Sequence, residues 1–190
     1  MNQFLKTIKK SIVVVFATTM LFSCTNDSKE VRDFLAEKNL PIGIAKDAYH
    51  VYKDSGKVTS KLITPLLNDF SNRKDHPYNE FPEGVKIINF DNNGKDSVTV
   101  IGDYALSYSK TLISEIKGNV VVINHTDHTK LETSQLFWDQ KNEYFFTEQS
   151  YVLTTATDTF YGIGFESKQD LSKWVQKQFT GQIITNEKDL

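Results

Sequence analysis

The chain has 190 residues, a formal charge of −2 and a single cysteine. One cysteine excludes an internal disulfide framework, and an acidic balance without basic runs argues against nucleic acid as a partner.

Lys6, Lys9 and Lys10 form a basic start without acids, followed by an apolar run of about eleven residues from Ile12 to Phe22. That run is too short for a bilayer, which needs about twenty. It ends at Ser23-Cys24, a pattern that resembles a bacterial lipoprotein signal. The expectation is a signal over residues 1–23, cleavage before Cys24, and a lipid anchor on that thiol. Two or more acyl chains would hold such a protein at a membrane. Removing the three lysines moves the formal charge from −2 to −5.

Residues 24–46 are mixed and highly charged and read as a tether. Val31, Phe34 and Leu35 allow one short helical turn, and Pro41 follows its end. Residues 47–190 read as the folded domain. Asp54-Ser55-Gly56, Asp91-Asn92-Asn93-Gly94, His125-Thr126-Asp127-His128 and Asp139-Gln140-Lys141-Asn142 are turn signals between strand-like runs. Ser71 to Pro82 reads as a polar loop. Val98 to Asn124 is rich in β-branched and aromatic residues and lacks proline, as strands are. Within it Ile116, Gly118, Val120 and Val122 share one face, and Lys117, Asn119, Val121 and Ile123 the other. Asp170 to Lys177 reads as a helical turn or an edge strand.

A pattern recurs. Leu62, Val100, Leu131 and Phe160 are each followed five residues later by Leu67, Ala105, Leu136 and Phe165. Small residues at Gly84, Gly118, Ser150 and Gly181 each precede an apolar strand, at roughly thirty-residue intervals that mark stacked supersecondary units. The fold class expected is all-β. Val98, Val100, Ile116, Val120 and Val122 would line the interior of a folded-over sheet, with Leu131, Leu136, Trp138 and Val152. Alternation alone does not distinguish a filled core from a lipid-holding groove.

Chemistry is sparse. His125-x-x-His128 has ligand-like spacing but lacks the further ligands a zinc site needs. Glu115, Glu132, Asp139 and Asp158 are not placed as a carboxylate pair across a cleft. Gly162-x-Gly164 lacks a following helix, and there is no nucleophile elbow. The reading is a non-enzyme with no cofactor, no metal site and no catalytic residue.

Three runs resemble the LptC family of lipopolysaccharide export: Ser55-Gly56-Lys57-Val58, Thr64-Pro65-Leu66-Leu67, and Tyr78 to Val85. Gly102-Asp103-Tyr104-Ala105, Gly118 to Val122, Leu131-Glu132-Thr133, Leu136-x-Trp138-Asp139 and Tyr161 to Ser167 continue the likeness over about residues 47–185. The resemblance implies a β-jellyroll, or β-taco, of stacked antiparallel strands with an open hydrophobic groove. It implies lipopolysaccharide as cargo, held by its lipid A acyl chains and passed from an inner-membrane Lpt ABC transporter to an LptA-like periplasmic bridge protein. A lipid anchor in place of a transmembrane helix departs from many members and leaves open which membrane holds it, the inner being favoured. Ile183 and Ile184 are expected at the edge that meets the bridge. The alternatives are an LptA-like bridge component, or a glycan-binding or structural β-sandwich lipoprotein. Trp138 and Trp174 have no obvious shared face for a glycan platform.

Overall fold

The computed structural model describes residues 28–91 and 93–180. Two units are present, divided between Asn39 and Leu40. The first contains a helix, α1 (Ser28–Glu37). Val31, Phe34 and Leu35 fall at helical spacing on it, and Val31 and Phe34 are about half exposed. Asn39 ends it in a left-handed conformation (φ 55°), donating its N–H to the Ala36 carbonyl as helix C-caps do. Pro41 follows. Cys24 and the preceding run lie outside the described residues.

The second unit is an all-β jellyroll of eleven antiparallel strands. The strands are β1 (Gly43–Asp54), β2 (Lys57–Phe70), β3 (Tyr78–Phe81), β4 (Val85–Phe90), β5 (Asp96–Gly102) and β6 (Tyr104–Tyr108), followed by β7 (Ile113–Asn124), β8 (Lys130–Asp139), β9 (Tyr144–Thr154), β10 (Thr159–Lys168) and β11 (Trp174–Thr180). The hairpin joining β1 and β2 turns at Ser55 and Gly56, both with positive φ, the two-residue geometry that matches strand twist. Asp170 to Lys177 resolves into a turn and the start of β11.

A line of irregularities crosses the sheet and folds it in two. Pro65 lies in β2, and Gly84 separates β3 from β4 with φ 95°. Asp103 separates β5 from β6. The β7–β8 register shifts between Lys117 and Val120, where Gly118 and Asn119 have positive φ. The β8–β9 register shifts between Thr133 and Phe137, and the β9–β10 register between Ile163 and Phe165, at Gly164. Such breaks bend a strand and raise its twist.

Side chains pin the line. The Thr64 hydroxyl donates to the Gly84 carbonyl at 2.7 Å. The Asp103 N–H reaches the carbonyls of Lys117 and Gly118, both at 3.0 Å, and Asn119 Nδ2 donates to the Asp103 carboxylate. Strands β2 and β7–β10 cross the line, so each contributes to both layers.

The five-residue repeat follows from this geometry. In an unbroken strand, residues five apart face opposite ways. Here one irregular residue lies between them, so Leu62/Leu67, Val100/Ala105, Leu131/Leu136 and Phe160/Phe165 all lie in or against one core cluster. On the first layer Leu62, Ile87, Val100, Val122, Leu131, Leu153 and Phe160 form one paired row. Across the cleft run Phe81, Ala105, Ile116 and Leu136.

The segment read as a polar loop contains strand β3. Tyr78 stacks on Phe70 with ring centroids 4.7 Å apart and tilts against Tyr108 at 5.9 Å. Glu80 accepts from Asn68 Nδ2 and the Tyr104 hydroxyl. Burial, aided by that carboxylate, pushes the Tyr104 phenol well above its usual range.

Candidate functional site: a cleft between two layers

The cleft has two different ends. At the β8–β10 end it is filled. Phe145, Phe165, Leu131, Leu136 and Leu153 are fully buried there. The turn between β10 and β11 covers this end by inserting Leu171, which is also fully buried and takes φ 56°. Asn124 Nδ2 donates to the Asp170 carbonyl at 2.6 Å. Trp138 Nε1 donates to Gln169 Oε1 at 3.1 Å, and the Gln169 N–H to the Glu143 carbonyl.

At the other end the layers enclose a cavity of about 350 Å³. Its apolar wall comprises Leu62, Phe81, Val85, Ile87, Ala105, Ile116 and Trp138. Its polar wall comprises Ser60, Asn79, Ser107, Ser114 and Gln140, with Tyr52 and Thr59 from the first hairpin. The polar wall is a consequence of register. Asn79, Ser107, Ser114 and Trp138 are successive paired positions on β3, β6, β7 and β8. Gln140 Nε2 donates to Ser114 Oγ at 2.8 Å, and Ser114 Oγ to Ser107 Oγ at 3.0 Å. The lining carries no formal charge.

The apolar residues singled out from sequence divide three ways. Ile116 and Trp138 line the cavity. Val98, Val100, Val120, Val122, Leu131 and Leu136 face inward and are buried in the packed core. Val152 lies on the opposite face, because its neighbours Tyr151 and Leu153 take the inward positions. It sits beside Val121, Glu132 and Tyr161 on the outer surface. Ile183 and Ile184 lie outside the described residues. Sequence reasoning passed over Phe81, Ile87, Asn79, Ser107 and Gln140 at the cavity. Ser107 and Ser114, seven apart across a hairpin, are small polar residues at inward positions, and that was the available signal.

His125 Nε2 is 2.8 Å from the Thr99 hydroxyl, and His128 occupies a turn with φ 62°. Among the described residues no group of three or more His, Cys, Asp or Glu is placed to hold a metal ion. Trp138 and Trp174 share the inner face, through the paired row Trp138, Phe145, Ser167, Trp174. Trp138 is 9% exposed, so the two do not form an open aromatic platform. No helix among the described residues is long and apolar enough to cross a membrane.

Comparison with curated proteins finds no match. The family model described as lipopolysaccharide-assembly, LptC-related, matches residues 12–175. That span covers most of the chain and every strand up to the start of β11. It gives the protein a role in lipopolysaccharide transport and assembly in the cell envelope, alongside the components of the Lpt system. The chain belongs to the LptC-related lipopolysaccharide-assembly family.

Proposed function

We propose that the protein holds lipopolysaccharide by an acyl chain in the open end of its cleft and hands it from an inner-membrane ABC transporter to a periplasmic bridge protein. The observation that carries this reading is the cavity between the two layers, whose apolar wall includes Phe81, Ala105, Ile116 and Trp138. A plain β-sandwich core would be filled at both ends. Burying acyl methylenes is favourable by about 0.8 kcal/mol each. A closed pocket for several chains would therefore bind too tightly to release them, whereas a partly open cleft lets cargo move on.

The sheet also ends in strands with unpaired backbone groups. Among the described elements β11 pairs only with β10, and β1 only with β2. Strand addition would satisfy such edges and align the clefts of successive jellyrolls. In this reading the C-terminal edge, including Ile183 and Ile184, meets the bridge protein. Cys24 carries the lipid anchor, with the inner membrane as its site.

Photo-crosslinking residues placed in cells test both parts. Probes at Ala105 or Ile116 are expected to capture lipopolysaccharide, a probe at exposed Lys117 to capture none, and a probe at Ile183 to capture the bridge protein. Equal lipid capture at Ile116 and Lys117 would sink the internal cleft, and no protein adduct at Ile183 would sink the junction.

A further inference from the structure

The polar wall of the cavity is more than an acyl chain needs. A hydrocarbon guest is best matched by an apolar lining, and a buried polar group without a partner costs about 1–3 kcal/mol. Yet five neutral polar side chains, Ser60, Asn79, Ser107, Ser114 and Gln140, line this cavity, Ser114 buried and the other four half-buried. Three of them form a directed chain, from Gln140 to Ser114 to Ser107. Ser107 Oγ accepts the last of these bonds, which leaves its own hydroxyl proton to donate. Asn79 brings a carboxamide, with one acceptor and two donor hydrogens, on the paired position next to Ser107. The wall next to them is apolar: Phe81 and Ala105 are buried, and Ile116 is fully so.

The volume limits the guest. A cavity of about 350 Å³, at the roughly 30 Å³ that a water or a chain carbon occupies, takes on the order of a dozen such units. That is room for one acyl chain.

We infer that Asn79, Ser107 and the Ser114–Gln140 pair behind them form a ledge that recognises an oxygen carried by the acyl chain itself. A chain hydroxyl a few carbons below the head group would meet the Asn79 carboxamide and the Ser107 hydroxyl, while the rest of the chain lies against Phe81, Ala105 and Ile116. The cavity thus selects one oxygenated acyl chain over a plain one of equal length. This deepens the proposed lipid carriage and rests on it.

The test uses the purified full chain and two free fatty acids of twelve carbons that differ only in a 3-hydroxyl group, with affinity measured by titration calorimetry. One to two net hydrogen bonds correspond to about a tenfold preference for the hydroxylated acid. The double variant Asn79→Leu, Ser107→Ala is expected to bind both acids equally, with affinity for the plain acid retained. Equal affinity of the unaltered protein for the two acids would overturn the ledge and leave the cleft standing. Binding of neither would overturn the ledge together with lipid carriage. The comparison on the unaltered protein decides the question even if the double variant does not fold.

Discussion

The two ends of the cleft are made from the same strands and the same alternation, yet one is a packed core and the other a chamber. At the β8–β10 end the inward rows carry Leu131, Leu136, Phe145, Leu153 and Phe165, and the β10–β11 turn drops Leu171 between the layers. At the β2–β7 end the row that continues Trp138 and Phe145 changes to Ser114, Ser107 and Asn79, and among the described residues no turn drops a buried apolar side chain between the layers as Leu171 does. A folded sheet is thus filled or hollow according to side-chain size at its rim and the presence of a plug.

The comparison can be broken most directly by making the same truncation in both places. Leu131→Ala in the filled end removes a fully buried side chain with little room for relaxation, and is expected to destabilise by about 2–5 kcal/mol. Leu62→Ala borders the existing cavity, so fewer contacts are lost, and a loss at the low end of that range, about 2 kcal/mol, is expected. Urea unfolding of the two variants gives the ranking. Equal losses would show that both ends are packed alike in solution.

The fold line that joins the two ends is the next target. A Cβ added at Gly102 would lie 2.3 Å from Ile116 Cγ2, and Ile116 is fully buried between the core and the cavity. Gly102→Ala is expected to cost about 1–3 kcal/mol through overpacking. Combining it with Ile116→Val, which keeps the γ-methyls but loses Cδ1 and so lets them rotate away from the added Cβ, should recover part of that loss. A double variant no more stable than Gly102→Ala alone would mean that the strain lies elsewhere.

Much of this architecture was legible in the sequence, for identifiable reasons. Turn residues such as Ser55-Gly56 mark hairpins because only certain residues accept positive φ. The recurrence of Leu62/Leu67 and its counterparts encoded the fold line, since an odd spacing puts two apolar residues on one face only when a break lies between them. Strand β3 was not legible. Its four residues lie between Pro77 and Pro82, and what holds them is the long-range stack of Phe70, Tyr78 and Tyr108. Val152 was ambiguous because Tyr151-Val152-Leu153 is apolar throughout and fits either phase. The chamber was not legible from alternation, because Ile116 looks the same whether Trp138 and a plug fill the space beside it or Ser107 and Asn79 leave it open.

The smallest expected effect concerns the strand that borders the filled end. On the outer face of β9–β11, Glu166 accepts a bond from the Tyr144 hydroxyl and pairs with Lys177 at 2.9 Å, while Lys177 also meets Glu148. Tyr144 is pushed up to about 12, by burial first and then by its bond to Glu166. The bond from Tyr144, followed by that from Lys177, holds the Glu166 carboxyl below its usual range. The bonds to Glu148 and then Glu166 hold Lys177 above the usual lysine range. A carboxyl lowered by folding contributes stability above its unfolded value and loses it as pH falls through the folded one. A lysine raised by folding contributes below its unfolded value and loses that as pH rises through the folded one. Both contributions are therefore present between about pH 4.5 and 10, the ordinary carboxylate and lysine values. Because the groups are solvent-exposed, the effect is local to β11 and small. Amide exchange in β11, corrected for its intrinsic pH dependence, should be less protected at pH 3 than at pH 6, and Lys177→Gln should shrink that difference. Exchange in β8 should be unaffected over the same range, because Lys177 and Glu166 touch only the β9–β11 margin. An equal loss of protection in β8 and β11 would mean that acid opens the whole filled end rather than its border.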